Sequence, residues 1–304
     1  MGLLEIGASF KTAKRENCMT SYFTMALAQV TASSDSDKNL AKADLFAHRA
    51  TQAGADWLVL PEMFMALPTP ERPPVAIVAD DEGRFVAKMH ALAQTHGLHI
   101  TFGAWEVSET AGKAYNTAYT VSPEGELLAA YRKLHLFDAL NVRESDTLVP
   151  GSARPLLLAI NGMKVGFAIC YDLRFPELFR DLARRGAEMV VIPSAWYEGP
   201  MKAVHWQTLL RARAIENTCY MVGCNLVQGA FCGQSAMFDP FGVVVAAAGE
   251  VETLITGRFE VQRLRDVRTN LPSLAHRRSD LYLSLIHISE PTRLKTRSRM
   301  PSSA

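Results

Sequence analysis

Cysteine is scarce: the 304 residues contain five. The number is odd and no C-x-x-C spacing occurs, which argues against a disulfide framework and a zinc site and suits a reducing, cytoplasmic setting. No charge of one sign dominates. Lys and Arg total 32 against 31 Asp and Glu, a formal net charge of +1, and there is no basic stripe of the kind nucleic acid requires. The longest apolar runs, such as 242–248, fall far short of the roughly 20 residues that cross a bilayer. No Gly/Ser-rich linker divides the chain. What is present is apolar bulk, 48% of residues. A chain of this length buries roughly 75% of its unfolded surface and needs no staple.

The two ends differ from the middle. Residues 1–24 are aperiodic, lack an apolar signal-peptide core and read as an N-terminal extension, with Met19 or Met25 as candidate starts. Leu283 to Arg293 reads like a translated sequencing-library adapter, so residues 283–304 are expected to be an artefactual, disordered tail; an encoded basic tail is the alternative. The tail holds Arg293, Lys295, Arg297 and Arg299 against Glu290. The positive sign of the net charge therefore belongs to it.

Between Met25 and Tyr282 strand and helix signals alternate. A strand at 25–30 precedes Ser34-Asp35-Ser36-Asp37, which supplies capping side chains for a helix of about 17 residues. Leu40, Phe46, Ala47, Ala50 and Ala53 give that helix its buried face, and Gly54 its stop. A buried strand at 57–60, a helix at about 83–96, a strand at 99–103, a hairpin over 115–131, a strand at 165–169 and a helix at about 176–185 follow. The run 54–61 echoes 186–193: helix stop, acid, four apolar residues, proline. One domain, residues 25–282, built from two related α/β halves is expected, its sheets packed face to face under helices.

Glu62, Lys133 and Cys170 each follow a strand, where α/β proteins collect ligands. Their chemistry is complementary. A thiol with an ordinary pKa near ~8.5 needs a base or a cation to become nucleophilic; a carboxylate supplies the first and an ammonium the second. Each also has a plain reading: a packed cysteine, a capping glutamate, a solvated lysine.

The surrounding strings carry more. Leu60-Pro61-Glu62, Tyr131 to Asp138 and Ile169 to Glu177 resemble, in order, the three signature blocks of the nitrilase superfamily of carbon–nitrogen hydrolases. The resemblance spans residues 25–282 and closes on Arg277-Arg278-Ser279-Asp280-Leu281-Tyr282. It implies a four-layer α-β-β-α sandwich, a homodimer or higher homo-oligomer, no cofactor, no metal, and a Glu62–Lys133–Cys170 triad forming a thioester. Cys170-Tyr171-Asp172 is the amidase-like variant of the nucleophile block. Ser194 to Pro200 and Gly233-Gln234-Ser235 resemble the bacterial deaminated glutathione amidase branch, with the ω-amidases close by. Both cleave amides of 2-oxo acids, so a small carboxylate-bearing amide and water are the expected partners, with neither nucleic acid nor membrane. Aliphatic amides, N-carbamoyl amino acids, nitriles and a catalytically idle scaffold are the alternatives.

Around the triad, Glu144 resembles the second glutamate of such sites and is expected to orient Lys133 or substrate, or else to pair with Arg143 or Arg132. The Tyr171 backbone N–H is the expected oxyanion donor. Arg174 is a candidate carboxylate clamp, or else a partner of Glu177 or Asp172. Trp196 and Tyr197 are candidates for pocket wall or core. His135 and His205 invite an acid–base or metal role that the triad does not need; His205 reads as a core or interface position.

Overall fold

The structure, a computed structural model, describes residues 22–282. The expected tail and all but the last three residues of the expected extension lie outside them. Strand β1 (Tyr22–Gln29) begins three residues ahead of the expected Met25, because Tyr22, Phe23 and Thr24 already pair with Glu260, Phe259 and Arg258 of the last strand.

Helix α1 (Ser36–Gln52) starts where Asp35 accepts hydrogen bonds from the Asp37 and Lys38 amides. It ends next to Gly54, whose φ of +69° a side chain would strain. It is followed by β2 (Trp57–Val59), α2 (Pro74–Asp81), α3 (Arg84–His96), β3 (His99–Val107), β4 (Ala114–Val121) and β5 (Leu127–Arg132). The second half runs β6 (Leu157–Ile160), β7 (Met163–Phe167), α4 (Pro176–Arg184), β8 (Met189–Ser194), α5 (Lys202–Asn217), β9 (Tyr220–Asn225), β10 (Ala236–Phe238) and β11 (Val244–Ala247). The chain then returns through β12 (Thr253–Glu260) to α6 (Val261–Asn270) and α7 (Ser279–Tyr282).

Two six-stranded sheets result, ordered β12-β1-β2-β3-β4-β5 and β6-β7-β8-β9-β10-β11. They share one plan. Three central parallel strands, β1-β2-β3 or β7-β8-β9, are flanked by antiparallel neighbours. The echoed runs become β2 and β8, the equivalent strands of the two sheets. The first sheet borrows its outer strand β12 from the far end of the chain.

Period-two alternation assigns the faces. Met25, Leu27, Trp57 and Val59 pack in one apolar cluster with Val165, Phe167 and Met189 of the other sheet. Ala26, Ala28, Leu58 and Leu60 pack in a second with Leu40, Phe46 and Phe85 of the covering helices. This is the four-layer α-β-β-α sandwich. Among the described residues no helix is long and apolar enough to cross a membrane.

Candidate active site

Glu62 leaves the end of β2 on a loop pressed against β3. Gly103 allows that approach: a Cβ there would stand 2.6 Å from the Glu62 Cα and 2.7 Å from the Met63 nitrogen. The carboxylate is 1% exposed and held on three sides. Lys133 Nζ donates to Oε1 at 2.9 Å, Asn116 Nδ2 to the same oxygen at 2.7 Å, and the Ala195 N–H to Oε2 at 2.7 Å.

Lys133 follows β5. Its N–H donates to the Asn116 carbonyl and its own carbonyl accepts from the Gly151 N–H, both at 2.8 Å. The ammonium also donates to Glu144 Oε1 at 2.9 Å, while Glu144 Oε2 accepts from the Phe137 N–H at 2.8 Å. Glu144 thus faces Lys133, and the alternative pairings do not form. Arg132 pairs with Glu106 and Arg143 with Asp146. Burial alone would lower the Lys133 pKa, but the Glu62 and Glu144 carboxylates carry it well above the usual lysine range. Burial raises that of Glu144, against the pull of Lys133.

Cys170 stands three residues beyond β7, at the start of a single 3-10 turn, Cys170–Arg174. It is a non-glycine residue at φ +44°, a costly conformation that surrounding structure must hold in place. Burial and the negative charge of Glu62 push its thiol pKa well up, opposed by Lys133 and by the Ala195 N–H. Residues far apart in sequence therefore share one buried charge field.

Asp172, named above in the nucleophile block and as a possible partner of Arg174, fastens the site. Fully buried, it accepts from the Tyr131 hydroxyl at 2.7 Å, the Ile169 N–H at 2.9 Å and the His135 N–H at 3.0 Å, and His135 Nδ1 lies 2.7 Å from it. It ties the nucleophile turn to the lysine loop. The histidine is occupied there, stacked on Phe175. His205 is exposed, which excludes the core half of the expected core or interface position, and among the described residues no cluster of metal ligands forms. Asn116 was not singled out from sequence; an asparagine inside a strand carries no motif.

The remaining candidates take different places. Tyr171 stands edge-on to Phe137, ring centroids 4.9 Å apart. Tyr197 stacks on Phe231, and burial with the nearby Glu62 and Glu144 charges lifts its pKa to about 12. Tyr197 and Met63 also wall a cavity of about 500 Å³. Trp196 is core rather than wall: at 2% exposure it packs on Trp206. Arg174 pairs with neither Glu177 nor Asp172. Its guanidinium lies 4.7 Å over the Trp196 ring, without a carboxylate partner among the described residues.

Residues 24–269 match the family model described as carbon-nitrogen hydrolase. The chain belongs to that family. It is a hydrolase of carbon–nitrogen bonds other than peptide bonds. Among its relatives, a deaminated glutathione amidase of Escherichia coli O157:H7 is 43% identical over 197 residues, 65% of this chain and 74% of that protein. One from Synechocystis sp. is 38% identical over 85% of this chain and 99% of its own length. A solved cysteine-to-alanine mutant of an amidase from Nesterenkonia AN1 superposes with a TM-score of 0.77 at 26% identity, covering 88% of this chain and 98% of that one. Another mutant of that amidase carries the acetamide moiety of fluoroacetamide on its active-site cysteine.

Proposed function

We propose that this hydrolase is an amidase acting on a small carboxylate-bearing amide, deaminated glutathione first among the candidates, through a thioester on Cys170. One observation carries the reading: Glu62, Lys133 and Glu144 are joined by 2.9 Å bonds in a nearly sealed site, and the same charges act on the Cys170 sulfur.

Glu62 takes the thiol proton as the sulfur attacks the amide carbon. Two of the three Lys133 N–H bonds are spent on carboxylates; the third, with the Tyr171 N–H, receives the oxyanion. Collapse breaks the C–N bond, and Glu62 returns its proton to the departing amine. A water deprotonated by Glu62 then adds to the thioester, the C–S bond breaks, and the sulfur recovers the proton as the acid leaves. Arg174, with no carboxylate of the protein to neutralise it, is suited to hold the substrate's carboxylate through two parallel bonds. The relatives named for deaminated glutathione support the choice of substrate.

Homo-oligomeric assembly in the cytoplasm belongs to the same proposal. Exposed Val204, Phe241 and Val243 support the first, and the free thiols among the described cysteines support the second. The test is product analysis with deaminated glutathione, 2-oxoglutaramate, a simple aliphatic amide and a nitrile, alongside mass spectrometry of a trapped acyl-enzyme. Acid and amine from deaminated glutathione, with an adduct lost in Cys170→Ala, are expected. Full turnover by Cys170→Ala would falsify the assignment, and preference for the nitrile would overturn the substrate class.

A further inference from the structure

Lys202 has no role in the steps above, and its position is costly. It opens α5, where a helix dipole repels a cation, and the residue is 7% exposed. Among the described residues no carboxylate pairs with it. Its ammonium instead rests 5.0 Å from the Trp196 ring centre and 5.1 Å from that of Phe137. The Arg174 guanidinium lies over the same Trp196 ring, so two cations share one aromatic support. Phe137 in turn touches Tyr171 and Tyr197, which directs the pair toward the approach to Cys170. Burial and the neighbouring Arg174 lower the lysine's pKa. Among the described residues no carboxylate pairs with either cation; an anionic ligand would neutralise them.

We infer that Lys202 is a specificity-determining residue that, beside Arg174, holds the anionic end of the substrate and selects 2-oxo acid amides over neutral ones. The inference deepens the amidase proposal and rests on it. The division of labour follows from donor geometry. A planar guanidinium suits the two oxygens of a carboxylate, whereas an ammonium is a compact charge with freely turning donors. It suits one carboxylate oxygen together with the adjacent 2-oxo oxygen.

The experiment reads binding first, so that it needs no turnover. In Cys170→Ala protein, calorimetry with 2-oxoglutarate is compared with and without Lys202→Met, which keeps the methylene stem on its aromatic support. A rise in Kd of at least tenfold is expected, with Lys202→Gln behaving alike, Lys202→Arg recovering part of the affinity, and melting temperatures unchanged. In protein with Cys170 intact, the kcat/KM ratio of 2-oxoglutaramate to butyramide should fall at least tenfold, mainly through KM. Failure of the Cys170→Ala protein to bind 2-oxoglutarate overturns the inference. So does an unchanged Kd, or an equal loss on both amides. Binding that depends on Lys202 in a protein that hydrolyses none of the amides would leave the anion site standing and refute the amidase reading instead.

Discussion

Replacing Glu144 by glutamine separates two effects that are usually confounded. The substitution preserves shape and can keep the bond from the Phe137 N–H, but it removes a negative charge 2.9 Å from Lys133. The two side chains are only 15% and 1% exposed, so solvent does little to replace the lost partner. A charge-assisted hydrogen bond contributes about 1.5–3 kcal/mol. At 1.36 kcal/mol per decade this lowers kcat by roughly 10- to 150-fold if Lys133 must be held in place for the transition state. The same charge also raises the Cys170 pKa, so its removal should make the thiol react faster with iodoacetamide. Slower turnover with faster alkylation is the expected signature, read by steady-state hydrolysis and by mass-spectrometric labelling rates. Turnover within threefold of the unaltered enzyme, or alkylation that slows, would refute the assignment of Glu144 as the residue that positions Lys133.

Asp172→Asn should destabilise the fold by about 3 kcal/mol, since it puts an amide donor among groups that donate to a buried carboxylate; for a domain of this size that is a fall of about 10 °C in Tm by circular dichroism, and less than 2 °C would count against the tie between loops. Because burial and the Glu62 charge raise the Cys170 pKa, the resting sulfur stays protonated at neutral pH. Thiolate absorbance at 240 nm, taken as the difference from Cys170→Ala, should begin to rise only at a higher pH than that of a free cysteine; a thiolate band at pH 7 contradicts this. Gly103→Ala should cost about 2 kcal/mol in a chemical denaturation curve by pushing backbone against backbone, and should lower kcat by displacing Glu62, whereas unchanged kinetics would show that the close approach is dispensable.

The local signals that survive in a linear sequence are those with short range. Asp35 and Gly54 mark α1 because capping and helix termination act within a few residues. The triad is readable because each member sits in a distinctive string. Helix α2 leaves little trace: eight residues starting at Pro74, with an apolar pattern too short to show a period. The start of β1 is missed because Tyr22 to Thr24 become a strand only through β12, more than 200 residues away. The bonds by which Asn116 and Asp172 aim the chemistry are invisible for a related reason. Their work is done across loops and sheets, and neither residue type in isolation announces a partner. Even Arg174 had equally near acids in sequence, and only the folded geometry leaves it free of them.

The return of β12 to the first sheet also bears on how the molecule is made. When a ribosome has finished Gln29, the strand pairing along its outer edge will not exist until Thr253 to Glu260 emerge. At 5–20 residues per second that wait lasts roughly 10 to 45 s. During it, β1 offers a row of unsatisfied amides and carbonyls to any passing strand. The nascent chain already contains every member of the triad by residue 170, yet the sheet that aims two of them is still unsealed. Completion of the catalytic apparatus is thus deferred until Thr253 to Glu260 have been made, long after the last triad member.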